Sequence, residues 1–167
     1  MRLLFITLLA ELLMACSTTT IYIVRHAEKV SESDTTSLSS AGKQRAITLA
    51  DTLANKGIDS IFTTPYRRTR QTAEPLAQRI GLRLVEYPTR SNEAIVNRVS
   101  HIRNKTVLIV GHSNTILDIA MGLGAQPAMD KIESGDFDNL LRVKIYRRPF
   151  GKSITLGQTT YGQPTPP

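Results

Sequence analysis

The fold is decided by residues 19–28, which read Thr-Thr-Ile-Tyr-Ile-Val-Arg-His-Ala-Glu. The residues from Thr19 to Val24 are β-branched, apolar or aromatic, which predicts a buried strand. A second apolar run, residues 106–110, is typical of a central parallel strand, and Gly-His-Ser follows it directly. Because ligands bind beyond the carboxyl ends of the strands in an open α/β sheet, both His26 and His112 are placed at a potential binding site.

Strand and helix patterns alternate along the rest of the chain. This alternation predicts an α/β fold, a three-layer α/β/α sandwich whose sheet is mostly parallel with an antiparallel edge. We find no internal repeat and no second domain. The further predicted strands are residues 58–63, 82–87, 140–146 and 153–156, and the predicted helices are residues 41–55 (capped by Ser40), 66–80 (kinked or broken at Pro75), 92–103 and 114–123.

The composition is that of a globular protein, since 41% of the 167 residues are hydrophobic and 21% are charged. A single cysteine, Cys16, excludes an intramolecular disulfide and a cysteine-based metal site. Lysine and arginine outnumber aspartate and glutamate by 21 to 14, and this net charge of +7 suits an anionic partner such as a phosphorylated substrate. The basic residues are scattered without an aromatic stacking platform, so nucleic acid is not an expected partner.

A third segment, residues 64–73, reads Thr-Pro-Tyr-Arg-Arg-Thr-Arg-Gln-Thr-Ala and also joins a strand end to a helix. Together with residues 25–28 and 111–113, it resembles the motifs of the histidine phosphatase superfamily, which includes phosphoglycerate mutases and phosphohistidine phosphatases. In this alignment the family arginine falls on Arg68. The resemblance covers about residues 19–162 and implies a phosphoglycerate mutase-like fold.

Three positions depart from the usual motifs of that superfamily. Ala27 stands where the family usually has glycine, Thr64 where it has serine, and Thr69 where it has alanine. The spacing from Arg68 to His112 leaves room for only a strand, a helix and a strand, so the insertions that cap the site of mutases are not expected. The resemblance therefore implies hydrolysis rather than phosphoryl transfer between substrates.

The family chemistry assigns a role to four residues. His26 would attack phosphorus as a neutral imidazole, with its other ring nitrogen held by a backbone carbonyl. Arg25 and Arg68 would bind the phosphoryl oxygens, because guanidinium groups stay charged and offer paired donors. His112, as an imidazolium, would complete the pocket. The implied activity is metal-independent hydrolysis of phosphomonoesters or phosphohistidine, on a small molecule or a phosphoprotein, without any cofactor.

The acid that protonates the leaving group is less well defined. Glu93 is the family-based candidate and Glu86 the other, although some phosphohistidine phosphatases lack a clear acid. Glu93 also fits a plain first-turn acid favoured by the helix dipole. Glu28 and the adjacent lysine would contact substrate or pair with each other, and His101 is expected on the surface, away from the strand ends.

The N-terminus resembles a bacterial lipoprotein signal. Residues 1–15 contain Arg2 and an apolar run and predict a signal peptide, and Cys16 would be the lipidated residue. The expected organisation is a lipidated cysteine and short tether (residues 16–19), a histidine phosphatase domain (20–162) and a disordered tail (163–167). The resemblance implies a periplasm-facing protein anchored in the membrane through Cys16, with Ser17 favouring the outer membrane.

Two other functions remain open. The chain could be a catalytically inactive relative that only binds phosphate. It could also be a serine hydrolase, because Ser113 follows a strand as in a nucleophile elbow. Thr115 stands where that motif has its last glycine, and no histidine follows His112 to serve as the base.

Overall fold

The computed structural model describes residues 16–166, which form a six-stranded sheet covered by helices on both faces. The strands are β1 (Ser17–Arg25), β2 (Ile58–Thr63), β3 (Leu84–Glu86), β4 (Thr106–Gly111), β5 (Asn139–Arg148) and β6 (Gly151–Thr160), and the helices are α1 (Ser40–Leu53), α2 (Arg67–Ile80), α3 (Asn92–Ser100) and α4 (Ile116–Gly122). The strand order is β3-β2-β4-β1-β5-β6. Strands β1 to β4 are parallel, whereas β5 and β6 are antiparallel. The predicted α/β sandwich with an antiparallel edge is confirmed.

Both faces of the central strands are buried, which explains their continuous apolar sequences. Ile21 and Ile23 of β1 belong to the core beneath α3 and α4. Tyr22 and Val24 belong to the core beneath α1 and α2. Successive side chains of a strand point to opposite faces, so β1 needs apolar residues at every one of these positions. The side chains of β4 likewise alternate between these two cores.

The carboxyl ends of β1, β2 and β4 meet at one edge of the sheet. The strand register pairs Arg25 with Gly111 and Thr63 with Val110, so the three strands end at the same level. The segments that follow them, which carry the predicted motifs, therefore leave the sheet side by side. We refer to this side of the sheet as the carboxyl edge.

The boundaries of several elements differ from the prediction. The cap of α1 is Ser39 rather than Ser40, because the Ser39 hydroxyl accepts a hydrogen bond from the Gly42 amide at 3.1 Å. Helix α2 continues through Pro75 without a break. Helices α3 and α4 and strand β3 are shorter than predicted, whereas β5 and β6 extend farther on both sides and form the predicted hairpin.

Both termini of the domain differ from the expected organisation. Residues Ser17 to Thr19 are not a tether, because their backbone pairs with β5 and lengthens β1. The expected disordered tail is partly bound to the domain, since the Gln163 carbonyl accepts from Arg45 and the Thr165 amide donates to Asp138. The predicted signal peptide, residues 1–15, lies outside the described residues. Among residues 16–166, no helix combines the length and hydropathy needed to cross a membrane.

Candidate active site

Arg25 ends β1 and His26 follows it inside the protein, with only 5% and 4% of their surface exposed. The His26 amide donates to the Gly111 carbonyl at 2.9 Å, which ties the end of β1 to the end of β4. As a result, the rings of His26 and His112 meet edge to face with their centroids 5.4 Å apart. The structure therefore brings the two predicted histidines together at the carboxyl edge.

The His26 side chain is held as a neutral ring with one free nitrogen. Its Nδ1 lies 2.8 Å from the Ala27 carbonyl, and because a carbonyl only accepts, Nδ1 must carry the proton. Burial, followed by the positive charges nearby, lowers the pKa of His26 to about 3. At neutral pH the ring therefore keeps a lone pair on Nε2, and a backbone carbonyl holds its other nitrogen as expected.

Arg25 is clamped by the loop that precedes β5. Its Nη1 donates to the carbonyls of Glu133 and Asp136 at 2.7 and 2.8 Å, and its guanidinium lies 4.0 Å from the centre of the Phe137 ring. Burial lowers the pKa of Arg25, although the group stays charged at any physiological pH. Within residues 16–166 its buried Nε has no hydrogen-bond partner, so the fixed guanidinium retains a donor for an anion.

Arg68 approaches the histidines from the first turn of α2. Its guanidinium stacks 4.3 Å from the Tyr66 ring centre, and Nη1 donates to the Asp34 carbonyl at 3.2 Å. Its Nε is also buried and without a partner among the described residues. The Thr72 hydroxyl donates to the Arg68 carbonyl and accepts from the Ala27 amide, so α2 is fastened to the segment that holds His26.

His112 is oriented by two buried hydroxyl groups. Its Nε2 lies 3.0 Å from Thr64 Oγ1, which lies 2.9 Å from Thr69 Oγ1. The carbonyls of Tyr66 and Thr64 lie 2.8 and 3.0 Å from Thr69 Oγ1. Because a carbonyl oxygen can only accept, the Thr69 hydroxyl donates its proton to these carbonyls. Thr64 then donates to Thr69 and accepts from His112 Nε2. The relay therefore favours the His112 tautomer with its proton on Nε2 and a lone pair on Nδ1.

The imidazolium expected at His112 belongs to the phosphate-bound site, and the charge of the ring differs in the site without an anion. Burial lowers the pKa of His112 to about 4, and the guanidinium groups of Arg68 and Arg25 add to this effect. The ring is therefore neutral at pH 7. A bound phosphate dianion would oppose these positive charges and favour uptake of a second proton at Nδ1.

The acidic residue after His26 has a structural partner. Glu28 accepts two hydrogen bonds from Arg45 Nε and one from Nη2, at 2.7 to 3.0 Å. Arg45 also donates to the carbonyls of Tyr161 and Gln163, so one buried side chain joins α1, the active-site segment and the C-terminal tail. Lys29 pairs with Glu32 rather than with Glu28.

The two candidate acids are not held in the site. Glu86 pairs with Arg70 at 2.9 Å, and half of its side chain is exposed. Glu93 is exposed in the first turn of α3, and no ion pair or side-chain hydrogen bond holds it among the described residues. His101 is exposed as predicted, and its Nδ1 lies 2.6 Å from the Asn97 carbonyl.

Several residues that shape the site were not singled out from the sequence. Phe137, Arg45 and the carbonyl of Glu133 come from distant segments, and no motif or spacing marks them. Thr64 and Thr69 were noticed only as departures from the family motifs. These departures were the available signal for the hydroxyl pair beside His112. Two hydroxyl groups buried beside a strand end need hydrogen-bond partners, and a third polar group nearby can supply one.

The structure offers little support for metal or serine chemistry. Within residues 16–166, no three histidine, cysteine, aspartate or glutamate side chains lie close enough to hold a metal ion. Ser113 lines a cavity of about 190 Å³ with Asp118 and Asp130. The histidine next to it, His112, contacts Thr64 instead.

Part of the sequence is similar to a known protein family. The family model of the histidine phosphatase superfamily (branch 1) matches residues 21–89, which include Arg25, His26 and Arg68 but not His112. A search of the curated proteins finds no significant match to the sequence.

Solved structures share the fold at low sequence identity. The protein histidine phosphatase SixA, complexed with tungstate, superposes with a TM-score of 0.65 at 16% identity over 84% of this chain and 96% of that chain. A mycobacterial glucosyl-3-phosphoglycerate phosphatase gives 0.59 at 14% identity, over 79% and 97% of the two chains. Mycobacterial hydrolase 2 gives 0.65 at 15% identity, over 90% and 93%. The chain is thus similar to the histidine phosphatase superfamily over residues 21–89, and the solved structures share its fold.

Proposed function

We propose that this protein is a metal-independent phosphatase that hydrolyses phosphomonoesters or phosphohistidine through a phosphorylated His26. The observation that carries the proposal is the state of the His26 ring, whose Nδ1 proton is bound by the Ala27 carbonyl, while the ring packs against His112 and lies in the positive field of Arg25 and Arg68. A neutral nucleophile surrounded by fixed positive charge suits a phosphoryl group, which carries its negative charge on the oxygens.

The proposed reaction has two steps. His26 Nε2 attacks phosphorus, a P–N bond forms, and the bond from phosphorus to the leaving group breaks. Arg25 and Arg68 stabilise the charge on the non-bridging oxygens, and His112 donates to them once it is protonated. Water then attacks the phosphohistidine, which releases inorganic phosphate and restores neutral His26.

Neither candidate acid is held in the site. This favours substrates whose leaving group departs without being protonated by a strong acid. Glu86 is paired with Arg70, and Glu93 is exposed at the start of α3. A phosphorylated imidazole or an aryl phosphate leaves without a strong acid, whereas an alkyl phosphate would depend on Glu93. We therefore expect the Glu93→Gln variant to lose activity on alkyl phosphates while it retains activity on aryl phosphates.

The decisive experiment measures hydrolysis of a generic aryl phosphate in the presence of a chelator. We expect His26→Ala to lower kcat by at least about a thousandfold, because the nucleophile is lost. Wild-type protein quenched during turnover should carry a phosphoryl group that is stable in alkali and labile in acid. Equal rates for both proteins would refute the mechanism, and phosphate binding without turnover would identify an inactive relative.

The Ser113→Ala variant is the control that distinguishes the proposed phosphatase from a serine hydrolase. Ser113→Ala should retain phosphatase activity, because the serine lies outside the proposed chemistry. An activity that disappears in Ser113→Ala and persists in His26→Ala would favour the serine hydrolase.

We also propose that the mature protein is anchored in the bacterial envelope by a lipid on Cys16 and faces the periplasm. Cys16 is exposed immediately before β1, so a lipid there would not disturb the fold. The mass of the mature N-terminus measures both cleavage and acylation. Cys16→Ser should abolish acylation, and a wild-type mass that lacks acyl chains would refute the anchor.

A further inference from the structure

The hairpin between β5 and β6 ends in an aromatic residue that packs against nothing. Phe150 is 95% exposed at the turn, whereas the other large apolar side chains on the surface are at most 70% exposed. Arg148 and Lys152 flank it, and both are exposed. A single exposed aromatic ring is common on protein surfaces, so Phe150 by itself indicates no function, and its significance depends on the charges around it.

The hairpin tip lies at the end of the sheet opposite to the candidate active site. The register of β5 pairs Arg147 with Ser17, so the tip extends past the first residue of β1 and lies beside exposed Cys16. His26 follows the other end of this nine-residue strand. At about 3.3 Å per residue, the two edges are separated by about 25 Å.

Further positive charge surrounds the tip. Arg147 donates to the Ser100 carbonyl at 2.6 Å, which fixes its guanidinium beside the end of α3. Burial and the charge of Arg103 lower the pKa of Arg147, because these two guanidinium groups lie close together. Lys105 in the same loop is neutralised by Asp59 at 2.8 Å. Among the described residues, no ion pair neutralises Arg103 or Arg147.

We propose that this hairpin edge, formed by Arg103, Arg147, Arg148, Phe150 and Lys152, binds the surface of an anionic phospholipid bilayer. The cations contact lipid phosphates, and the Phe150 ring enters the boundary between head groups and acyl chains. Binding at this edge requires neither catalysis nor acylation of Cys16. It would hold the carboxyl edge, with His26, away from the membrane and open to substrates in solution.

A bilayer fits this edge better than a nucleic acid does. Single-stranded nucleic acids bind to several aromatic side chains on which successive bases stack, and the hairpin edge offers only Phe150. In the sequence, the apolar run of residues 3–14 directly precedes Cys16, and Cys16 lies at the same edge. Cys16, the proposed lipidation site, and a basic edge with an exposed aromatic ring thus lie at the same end of the domain.

The absence of tryptophan from the sequence permits a direct test on the full chain. The Phe150→Trp variant places a single tryptophan at the hairpin tip. With vesicles of phosphatidylcholine and phosphatidylglycerol, we expect its emission to shift to the blue and to be quenched by brominated lipids. With phosphatidylcholine alone, or at high salt, the shift should be much smaller. Val30→Trp is the matched control, because Val30 is 70% exposed but lies in a loop at the carboxyl edge.

Charge reversal tests the cations separately from the aromatic ring. In the Phe150→Trp background, Arg148→Glu with Lys152→Glu should raise the anionic lipid concentration needed for half of the shift by about tenfold or more. Lys43→Glu with Arg90→Glu makes the same change in net charge with exposed residues of the carboxyl edge and should have little effect.

Each other outcome would overturn the proposal. Unchanged emission of Phe150→Trp on anionic vesicles would show that the tip stays in water, even if residues 1–15 attach the chain to the vesicle. An equal effect of the two charge reversals would show that only net charge matters. An emission shift with a DNA or RNA strand, but not with anionic vesicles, would assign the edge to nucleic acid. All these outcomes are independent of phosphatase activity.

Discussion

Replacing Thr64 by valine removes the hydroxyl that orients His112 while leaving a side chain of nearly the same shape. Thr64 is 1% exposed, and its Oγ1 is the only described partner of His112 Nε2. In Thr64→Val the Nε2 proton has no acceptor, and Thr69 loses the donor at 2.9 Å. Nothing then holds the proton on Nε2, so the His112 ring should populate both neutral tautomers.

The magnitude follows from the cost of an unsatisfied buried polar group, which is about 1–3 kcal/mol. We expect Thr64→Val to lower the free energy of unfolding by this amount. The same hydrogen bond holds the His112 ring that binds the phosphoryl oxygens, and losing about 1–3 kcal/mol of this interaction in the transition state should lower kcat/KM by about fivefold to a hundredfold or slightly more, at about 1.4 kcal/mol per factor of ten. Thr64→Ser keeps the hydroxyl and should stay within about threefold of the wild-type kcat/KM.

Two measurements separate orientation from simple destabilisation. Hydrolysis of an aryl phosphate gives kcat/KM for the three proteins at a temperature where all are folded. Long-range nitrogen–proton NMR reports the tautomer of His112 directly, and the wild-type ring should carry its proton on Nε2. The reasoning is refuted if the wild-type proton is on Nδ1, or if Thr64→Val keeps both the wild-type tautomer and the wild-type kcat/KM.

Three further predictions concern charge inside the domain. Arg45→Gln should lower the free energy of unfolding by about 3–5 kcal/mol, because it leaves Glu28 without its buried partner. The exposed pair of Arg79 and Asp51 is the control, and Arg79→Gln should cost less than about 1 kcal/mol in the same urea titration. Stability should also fall in mild acid. Burial holds the pKa of His26 near 3 and that of His112 near 4, so from pH 6.5 downward the unfolded chain binds protons that the folded protein excludes. The free energy of unfolding should decrease by up to about 1.4 kcal/mol per pH unit for each histidine, and a flat profile between pH 6.5 and pH 4 would contradict the burial of both rings. Finally, binding of tungstate at pH 7 should take up a proton at His112, which calorimetry in buffers of different ionisation enthalpy measures. Binding without proton exchange would show that His112 stays neutral in the complex.

The fold could be predicted from the sequence because the central strands β1 and β4 are buried on both faces. In β1 and β4 this burial requires apolar residues at every position, and such runs are easily recognised. The errors lie where local and tertiary preferences compete. Ser39 and Ser40 are equivalent caps in sequence, and only the position of the Gly42 amide selects Ser39. Ser17 to Thr19 were assigned to a tether because the long partner strand β5 could not be foreseen.

The site was predictable to the extent that motifs follow strands. His26, His112, Arg25 and Arg68 could be placed together because parallel strands end at one edge. Their protonation could not be predicted, because the pKa of a histidine depends on burial and on charges from other segments. In the site without an anion, burial and then the charges of Arg68 and Arg25 lower the pKa of His112, so the expected imidazolium depends on the bound phosphoryl group and stays a prediction.

The same reasoning explains why the arginines are clamped so firmly. Arg25 is held by the carbonyls of Glu133 and Asp136, and Arg68 by the Asp34 carbonyl at 3.2 Å, with the largely exposed Asp34 carboxylate farther away at 3.9 Å. Carbonyl oxygens orient a guanidinium without neutralising it, whereas carboxylates in these positions would cancel the positive charge that attracts phosphate. Much of the positive potential therefore remains in the site and adds to the larger effect of burial, and together they keep both histidines neutral. A neutral His26 stays nucleophilic, and protonation of His112 then depends on the bound anion.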